Sequence, residues 1–368
     1  MIEKKDLYKL PYTKNDNPNG WIEPTTSCQL SCPFCYRKTD KSDRNSCHRN
    51  LAELKQEIDE LIEKRNIQTI SIGGGEPLLY SELDNLIEYA NSKRLNVIIY
   101  TNGILVDKKR LVELSNLGAT RIIIHIDKYQ AREGLSNEEA VNKQRKYFCE
   151  LFREVGGATL GFIKYISKDN IKDLGNLIDL YKKNADVVKT VVFTALNKTA
   201  GDLGDNQSNN DIEADLVFEK VRELFNLDYC AYLKKTKSDN IAWLMAYLIY
   251  RDKTLLGPLD NEFVRLYQEE HYKKYGKYSF VSNSNHFSFK IIIHLLLSKI
   301  FWKISLHFLK AKGKLKINEQ LVLIMNTPNK NGDSWDICDG CPDAMFYNNQ
   351  LVPECLLERV KVGEVIKI

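Results

Sequence analysis

No secretory signal opens this 368-residue chain, because residues 1–10 are charged and have no apolar core. Cysteine is scarce: nine in the whole chain are too few for a disulfide scaffold at this length. Charge of one sign is not in excess either. Lys and Arg number 53 against 49 Asp and Glu, a net charge of +4. No ladder of basic and aromatic residues of the kind single-strand binders use is present, so nucleic acid is not expected as a partner. The most apolar stretch, residues 287–309, is interrupted by Lys299 and Lys303. It falls short of the roughly 20 apolar residues that span a membrane. Internal repeats are absent. One further absence is local: residues 271–318 contain no Asp or Glu.

What is present suits folded domains. An apolar content of 43% supports one large domain and a smaller one, each with a core, and the 28% of charged residues is well mixed, against wholesale disorder. Six of the nine cysteines form two tight groups, 28/32/35 and 338/341/355. Grouped cysteines without a secretory signal read as metal or iron–sulfur ligands in a reducing, cytoplasmic setting.

From Trp21 to Leu196 short apolar runs alternate with amphipathic segments of helix length. Strands are expected at residues 20–26, 68–72, 96–101, 120–126, 158–165 and 187–194. Helices are expected at 51–65, 81–93, 108–117, 137–155 and 171–184. Ser81 and Asp107 stand where N-caps would, and Gly118 where a C-cap would. Six such units predict the α/β class, a parallel sheet curled into a partial (β/α)6 TIM-like barrel with helices outside. Chemistry in such folds sits at the C-terminal ends of the strands. Residues 198–210 are polar and rich in Gly and Asn, a linker or loop. Helices are expected again at 211–227 and 241–250. The expected organisation is an extension (1–19), a barrel (20–200), a helical region holding a basic amphipathic segment (201–324) and a cysteine-bearing tail (325–368).

Cys28-x3-Cys32-x2-Cys35 lies on a loop directly after the first of these strands. Three thiolates from one loop can hold three irons of a cubane and leave the fourth open. By spacing alone, a zinc site lacking one ligand, or three core thiols, stay in play. The wording of the loop, Cys-Gln-Leu-Ser-Cys-Pro-Phe-Cys-Tyr with Phe34 before the third cysteine, resembles the signature of the radical S-adenosylmethionine superfamily. Gly73-Gly74-Gly75-Glu76-Pro77 after the second strand resembles that family's glycine-rich motif for the methionine amino group. Glycine lets backbone approach a ligand closely, and Glu76 could accept from an ammonium. Thr101-Asn102-Gly103 ends the third strand, another family feature. The fourth ends in His125-Ile126-Asp127, with Gln130 and Arg132 beyond. Asp127 suits a ribose diol or, equally, a turn; His125 suits a buried strand position as well as a ligand-facing one. Lys164 and Thr194 fall on the fifth and sixth strands, with Asn197 following. A barrel-facing Lys164 could hold a carboxylate or phosphate, and a solvated lysine is the bland alternative. The resemblance covers residues 20–200.

Cys338-x2-Cys341-x13-Cys355 follows, and Asn348-Asn349 between them predicts a hairpin that returns Cys355 towards Cys341. The arrangement resembles the auxiliary-cluster domains of the superfamily's SPASM/Twitch class, a C-terminal α+β extension. A structural zinc hairpin is the competing reading. A fourth ligand could come from Cys230, Cys47, a non-cysteine group or substrate. The resemblance implies S-adenosylmethionine, one [4Fe–4S] cluster that binds it, a second [4Fe–4S] cluster, and an external electron donor such as flavodoxin or ferredoxin. It implies an enzyme that cleaves S-adenosylmethionine reductively to a 5′-deoxyadenosyl radical and abstracts hydrogen from a substrate carbon; no catalytic side chain is assigned. A non-catalytic electron-transfer or zinc protein is the rival class, and the cofactor-cradle motifs argue against it. Only 27 residues precede Cys28, which leaves no room there for a leader-peptide or cobalamin-binding domain and weighs against a peptide maturase. Lys299, Lys303, His307, Lys310 and Lys314 gather on one face of a helical wheel, with Leu297, Ile300, Phe301, Ile304, Phe308 and Leu309 around the rest. This predicts a basic amphipathic helix, either a lid or a contact for an anionic membrane surface or a lipid-like, polyprenyl-linked or phosphorylated substrate.

Overall fold

Runs of Ile, Val and Thr become strands, and the amphipathic segments between them become helices. The computed structural model describes residues 2–32, 35–37, 47–130, 132–196, 211–251, 253–280, 293–294, 296, 317–332, 334–366 and 368. After β1 (Tyr8–Lys9) come β2 (Asn19–Ile22), β3 (Thr69–Ile72), β4 (Asn96–Thr101), β5 (Ala119–His125), β6 (Thr159–Ile166) and β7 (Val188–Ala195). Each of β2 to β6 pairs in parallel with the next. Helices Leu51–Arg65, Leu83–Ser92, Lys108–Leu117, Glu138–Val155 and Leu174–Lys183 make the crossovers.

Local signals set the helix ends. Asp107 caps its helix by accepting from Arg110 N at 2.7 Å, and Gly118 ends it at φ 103°. Ser81 is not the N-cap of the preceding helix: Glu82 stands there without a side-chain cap bond, and Leu83 N donates instead to Tyr80 O at 3.1 Å. Residues 171–184 begin with a 3-10 turn, Ile171–Asp173, before the α-helix.

Beyond β7 the sequence reading needs correction. Residues 241–250 are not helical; they lie in β9 (Ile241–Arg251), which pairs antiparallel with β8 (Ala231–Lys234), β10 (Thr254–Pro258) and β11 (Ile317–Asn326). β9 is buried along nearly its whole length, so it reads as a continuous apolar run, and such a run has no period to separate strand from helix. Its Leu, Met and Ala content then favoured the wrong choice. β11 joins β7 in parallel. The stretch 201–324 therefore contributes strands to the main sheet as well as the helices Ala214–Phe225 and Asn261–Tyr275. The expected linker at 198–210 and most of the basic segment, including Lys299, Lys303, His307, Lys310 and Lys314, lie outside the described residues. No helix among the described residues is long and apolar enough to cross a membrane.

The resulting sheet has eleven strands and runs β1-β8-β9-β11-β7-β6-β5-β4-β3-β2, with β10 beside β9. Its outer face packs on the helices: Ile70, Ile72, Ile99, Ile122, Ile124, Phe162 and Phe193 share one core with Leu54, Ile58, Leu86, Leu114 and Phe148. The alternate residues face inward. Trp21, Ser71, Tyr100, Ile123, Tyr165, Val192, Leu323 and Met245 come from eight different strands and line a single cavity, so the sheet is curled around it.

β2 and β1 are the open edges of this curl, and the tail fills the seam between them. On one side the hairpin β14 (Ala344–Tyr347) and β15 (Gln350–Pro353) packs against β2, and Asn19 Nδ2 donates to Asp343 Oδ1 at 2.8 Å. On the other side Cys338 bridges to Lys235, and Asp339 N donates to Lys234 O at 2.9 Å. Between the two, β12 (Asn329–Asn331) and β13 (Ser334–Asp336) form a short ribbon ahead of Cys338.

Candidate functional site

Both cysteine triads line the same cavity: Cys28, Cys32 and Cys35, and Cys338, Cys341 and Cys355. The first stands half-buried on the loop after β2. Cys35 N donates to Cys32 O at 3.1 Å, and Cys28 Sγ lies 3.9 Å from Asn102 Nδ2. Burial and the neighbouring thiols push Cys32 up to about 12, while Arg132 pulls it down. Bound iron would reverse that balance, because a coordinating thiol is deprotonated outright. Phe34 lies outside the described residues.

Gly73, Gly74 and Gly75 also line the cavity. Their lack of side chains serves a packing need that the sequence did not disclose. A Cβ on Gly75 would sit 2.3 Å from Ser27 O, and one on Gly74, at φ 102°, 2.7 Å from Thr25 O. Gly75 N donates to Thr25 O at 2.9 Å and Glu76 N to Ser27 O at 2.7 Å. The strap thus grips the chain that leads into Cys28. Glu76 is fully buried and does not turn towards an incoming ammonium. It accepts from Thr101 Oγ1 and Asn102 N, each at 2.7 Å, and from Leu78 N at 3.1 Å. Burial raises its carboxyl and these donors pull it back. Its role is to tie the end of β3 to the end of β4, where Thr101 and Asn102 line the cavity.

At the end of β5 it is His125, not Asp127, that lines the cavity. Asp127 is buried behind it, 2.9 Å from His125 Nε2, and accepts from Tyr129 N at 2.8 Å. Burial pushes Asp127 up, yet His125, Lys164 and the Tyr129 N–H outweigh it and hold the carboxyl at about 2. Gln130 Nε2 and Arg132 both donate to His125 O, at 2.9 and 3.0 Å, and Arg132 also donates to Asn102 O. Lys164 does not face the cavity. Strand alternation sends Ile163 and Tyr165 inward, and Lys164 outward to Glu138 on the helix layer. Thr194 lines the cavity as expected; Asn197 is outside the described residues.

The second triad is enclosed in the seam. Asn348 and Asn349, at φ 48° and 59°, make the tight turn of the expected hairpin. Cys338 and Cys341 are buried, and their thiols are hydrogen-bonded to each other. Gly340, at φ 62°, lets the turn between them press on the N-terminal segment, where a Cβ would sit 2.4 Å from Tyr12 O. Arg65 is buried and donates to Cys341 O at 2.6 Å, Ala344 O at 3.3 Å and Lys14 O at 3.1 Å. Lys235 Nζ donates to Thr327 O at 2.8 Å, with Cys338 and Cys355 close by. Cys47 and Cys230 are not in the cavity wall; Cys230 lies in a core cluster with its thiol on Met245 O at 3.4 Å.

Sequence reasoning missed Arg65, Lys235, Asp343 and Glu354 around this triad. It also missed the buried pair Arg37–Glu23 at 2.7 Å, with Arg37 reaching Glu358 at 2.6 Å. That bridge ties the loop after Cys35 to the segment after Cys355. Only their closeness to cysteine in the chain singled out Arg37, Asp343 and Glu354. The donor set fits iron–sulfur clusters: two sets of three thiols face one cavity, with Arg132 beside the first and Lys235 beside the second. Among the described residues no group of three or more His, Cys, Asp or Glu side chains meets the geometry of a metal-ion site.

Comparison with known proteins bears on this arrangement. The chain is 24% identical over 236 residues to the Fe-coproporphyrin III synthase of Methanosarcina barkeri, an alignment covering 60% of this chain and 57% of that protein. It therefore spans little more than half of that relative's length. It is 24% identical over 279 residues to a Methanococcus maripaludis protein named "Probable GTP 3′,8-cyclase", covering 66% of this chain and 90% of that one. The crystal structure of Streptococcus suis SuiB matches with a TM-score of 0.45 at 16% identity, over 58% of this chain and 46% of that one. Residues 22–181 match the family model described as the Radical SAM superfamily. That match runs from the end of β2 through β6, the strands that carry the first cysteine loop and the glycine strap; this part of the chain is a radical SAM domain, and members of that superfamily use a [4Fe–4S] cluster and S-adenosylmethionine.

Proposed function

We propose that this chain is a radical S-adenosylmethionine enzyme with an auxiliary iron–sulfur cluster, acting on a substrate held between two clusters in one cavity. The observation that carries this is the shared lining: both cysteine triads border the same cavity. When bound, the first cluster and S-adenosylmethionine supply reductive cleavage to a 5′-deoxyadenosyl radical that takes hydrogen from carbon. The chain's residues do the rest. Cys28, Cys32 and Cys35 hold the first cluster. The backbone of Gly73–Gly75, with Thr101, Asn102 and Thr194, borders the cofactor, and Glu76 acts as a positioning residue that fixes those strand ends. Arg132 and Gln130 hold the turn after β5. Cys338, Cys341 and Cys355 hold the second cluster, SPASM/Twitch-like in its three-cysteine hairpin. The barrel (20–200) and tail (325–368) work as one unit, because the tail closes the barrel wall.

The cavity wall is largely apolar and aromatic, with Trp21, Tyr36, Tyr100, Tyr165, Trp243 and Phe280 in it. Such a wall excludes water from a reactive intermediate and favours a substrate with an apolar body. A lipid-like or polyprenyl-linked substrate is the class that this wall and the basic segment favour, in a cytoplasmic protein peripheral to an anionic membrane face. A peptide is the second reading, supported by relatives named "PqqA peptide cyclase" and "Mycofactocin maturase MftC". An external donor such as flavodoxin or ferredoxin would supply the electron. Anaerobic reconstitution followed by an assay for 5′-deoxyadenosine tests the reaction class, and absence of that product with an intact first cluster would overturn it. Deuterium transfer into 5′-deoxyadenosine, screened over labelled isoprenoids and peptides, separates the substrate classes. Cosedimentation with anionic and neutral vesicles, for the parent and Lys299→Glu/Lys303→Glu/Lys310→Glu, tests the membrane contact; equal failure on both kinds removes it.

A further inference from the structure

The second triad offers three thiols where a closed cubane takes four ligands. Neither Cys47 nor Cys230 borders the cavity, so no further cysteine is placed to complete it. Two carboxylates do border it beside the triad, Asp343 and Glu354. They are held differently. Asp343 Oδ1 already accepts from Asn19 Nδ2 at 2.8 Å, and its charge faces Arg65. Glu354 is fixed at its backbone, where its N–H donates to Asp343 O at 2.9 Å. Among the described residues, the only side-chain hydrogen-bond partner of its carboxylate is the thiol of Cys355, the next residue.

Glu354 is half-buried at the cavity wall, beside the thiol of Cys355, and its carboxylate has no ion-pair partner among the described residues. Iron would give that carboxylate a partner, as it would the grouped thiols. We infer that Glu354 supplies the fourth ligand of the second cluster, an oxygen donor beside Cys338, Cys341 and Cys355. The inference rests on the reading of that triad as a cluster site. On loading, the thiols would give up their protons as their bonds to iron form. Arg65 and Lys235, both buried, stand next to this anionic set as counter-charges. The second cluster would then be closed to exogenous ligands, in contrast to the open iron of the first.

The test uses the full-length chain carrying Cys28→Ala, Cys32→Ala and Cys35→Ala, so that only the second site loads. Cyanide is the probe, read by electron paramagnetic resonance of the reduced cluster and by Mössbauer spectroscopy. The expected result is a four-iron signal that cyanide leaves unchanged. With Glu354→Gln the signal should shift on adding cyanide, and mild oxidation should release one iron to leave a three-iron cluster. With Glu354→Cys the insensitivity should return. A Glu354→Gln protein that matches the parent in both respects, or a parent signal that cyanide already shifts, overturns the inference. If Glu354→Gln loads no iron, Glu354→Cys decides: a closed four-iron cluster supports the carboxylate as ligand, and failure to load rejects it. Zinc in place of iron in the parent would instead overturn the reading of the triad itself.

Discussion

Cys28, Cys32 and Cys35 stand half-buried on a loop at the strand ends, whereas Cys338 and Cys341 are buried in a seam between two sheet edges. The first triad is gripped by backbone: Gly75 and Glu76 donate to the residues just before Cys28. The second is gripped from far away in the chain, by the side chains of Arg65 and Asn19 from one edge and by backbone at Lys234 and Lys235 from the other. The seat of the first triad therefore depends on one local strap, and that of the second on closure of the whole seam.

Removing the ligands should break this comparison most severely. Cys28→Ala, Cys32→Ala and Cys35→Ala should each abolish 5′-deoxyadenosine formation, because the site-differentiated iron is lost. Replacing Cys338, Cys341 and Cys355 together should leave cofactor cleavage in place while abolishing substrate turnover. Parent-level cleavage by any of the first three variants would remove that cysteine from the ligand set.

The supports should separate the two sites next. Arg65→Met leaves three carbonyls without their donor and should cost roughly 2–4 kcal/mol of stability. Its iron loss should fall on the second site, with cofactor cleavage kept. Gly75→Ala drives a Cβ into backbone at Ser27 and should cost roughly 1–3 kcal/mol, with loss of cleavage and retention of the second cluster. Equal damage to both sites by either variant would show that the supports are not local.

Titration gives a smaller effect confined to the barrel. Asp127 is held at about 2 in the folded chain, below the ordinary value of roughly 4. A lowered carboxyl stabilises the fold above its ordinary value, and that contribution is lost as the pH falls from there through about 2. Asp127→Asn should therefore destabilise by roughly 2–3 kcal/mol near neutrality. Denaturant unfolding at several pH values should show the gap between variant and parent closing below about pH 4.

The barrel was legible because each of its units is local. Strand runs, helix stripes, the Asp107 cap and the Gly118 stop lie within a few residues of what they determine, and the expected strands agree with β2 to β7 to within a few residues. The Asn348-Asn349 hairpin was legible for the same reason. β9 was not, because burial on both faces erased its period. Lys164 was misdirected because the sequence shows alternation but not which face is inside. Glu76 and Asp127 stood at the right strand ends with the wrong orientation, since nothing local says that Thr101, Asn102 and His125 claim their oxygens. Arg65 was invisible because Cys341 and Ala344 lie hundreds of residues away, and Glu354 carried no signal beyond its place next to Cys355.

Metal content decides whether one cavity holds two clusters. It is read by iron and zinc quantification with Mössbauer spectroscopy on the anaerobically reconstituted parent and on the two triple-cysteine variants. About eight irons as two [4Fe–4S] clusters are expected in the parent and about four in each variant. About four irons in the parent, with zinc bound at Cys338, Cys341 and Cys355, would contradict it.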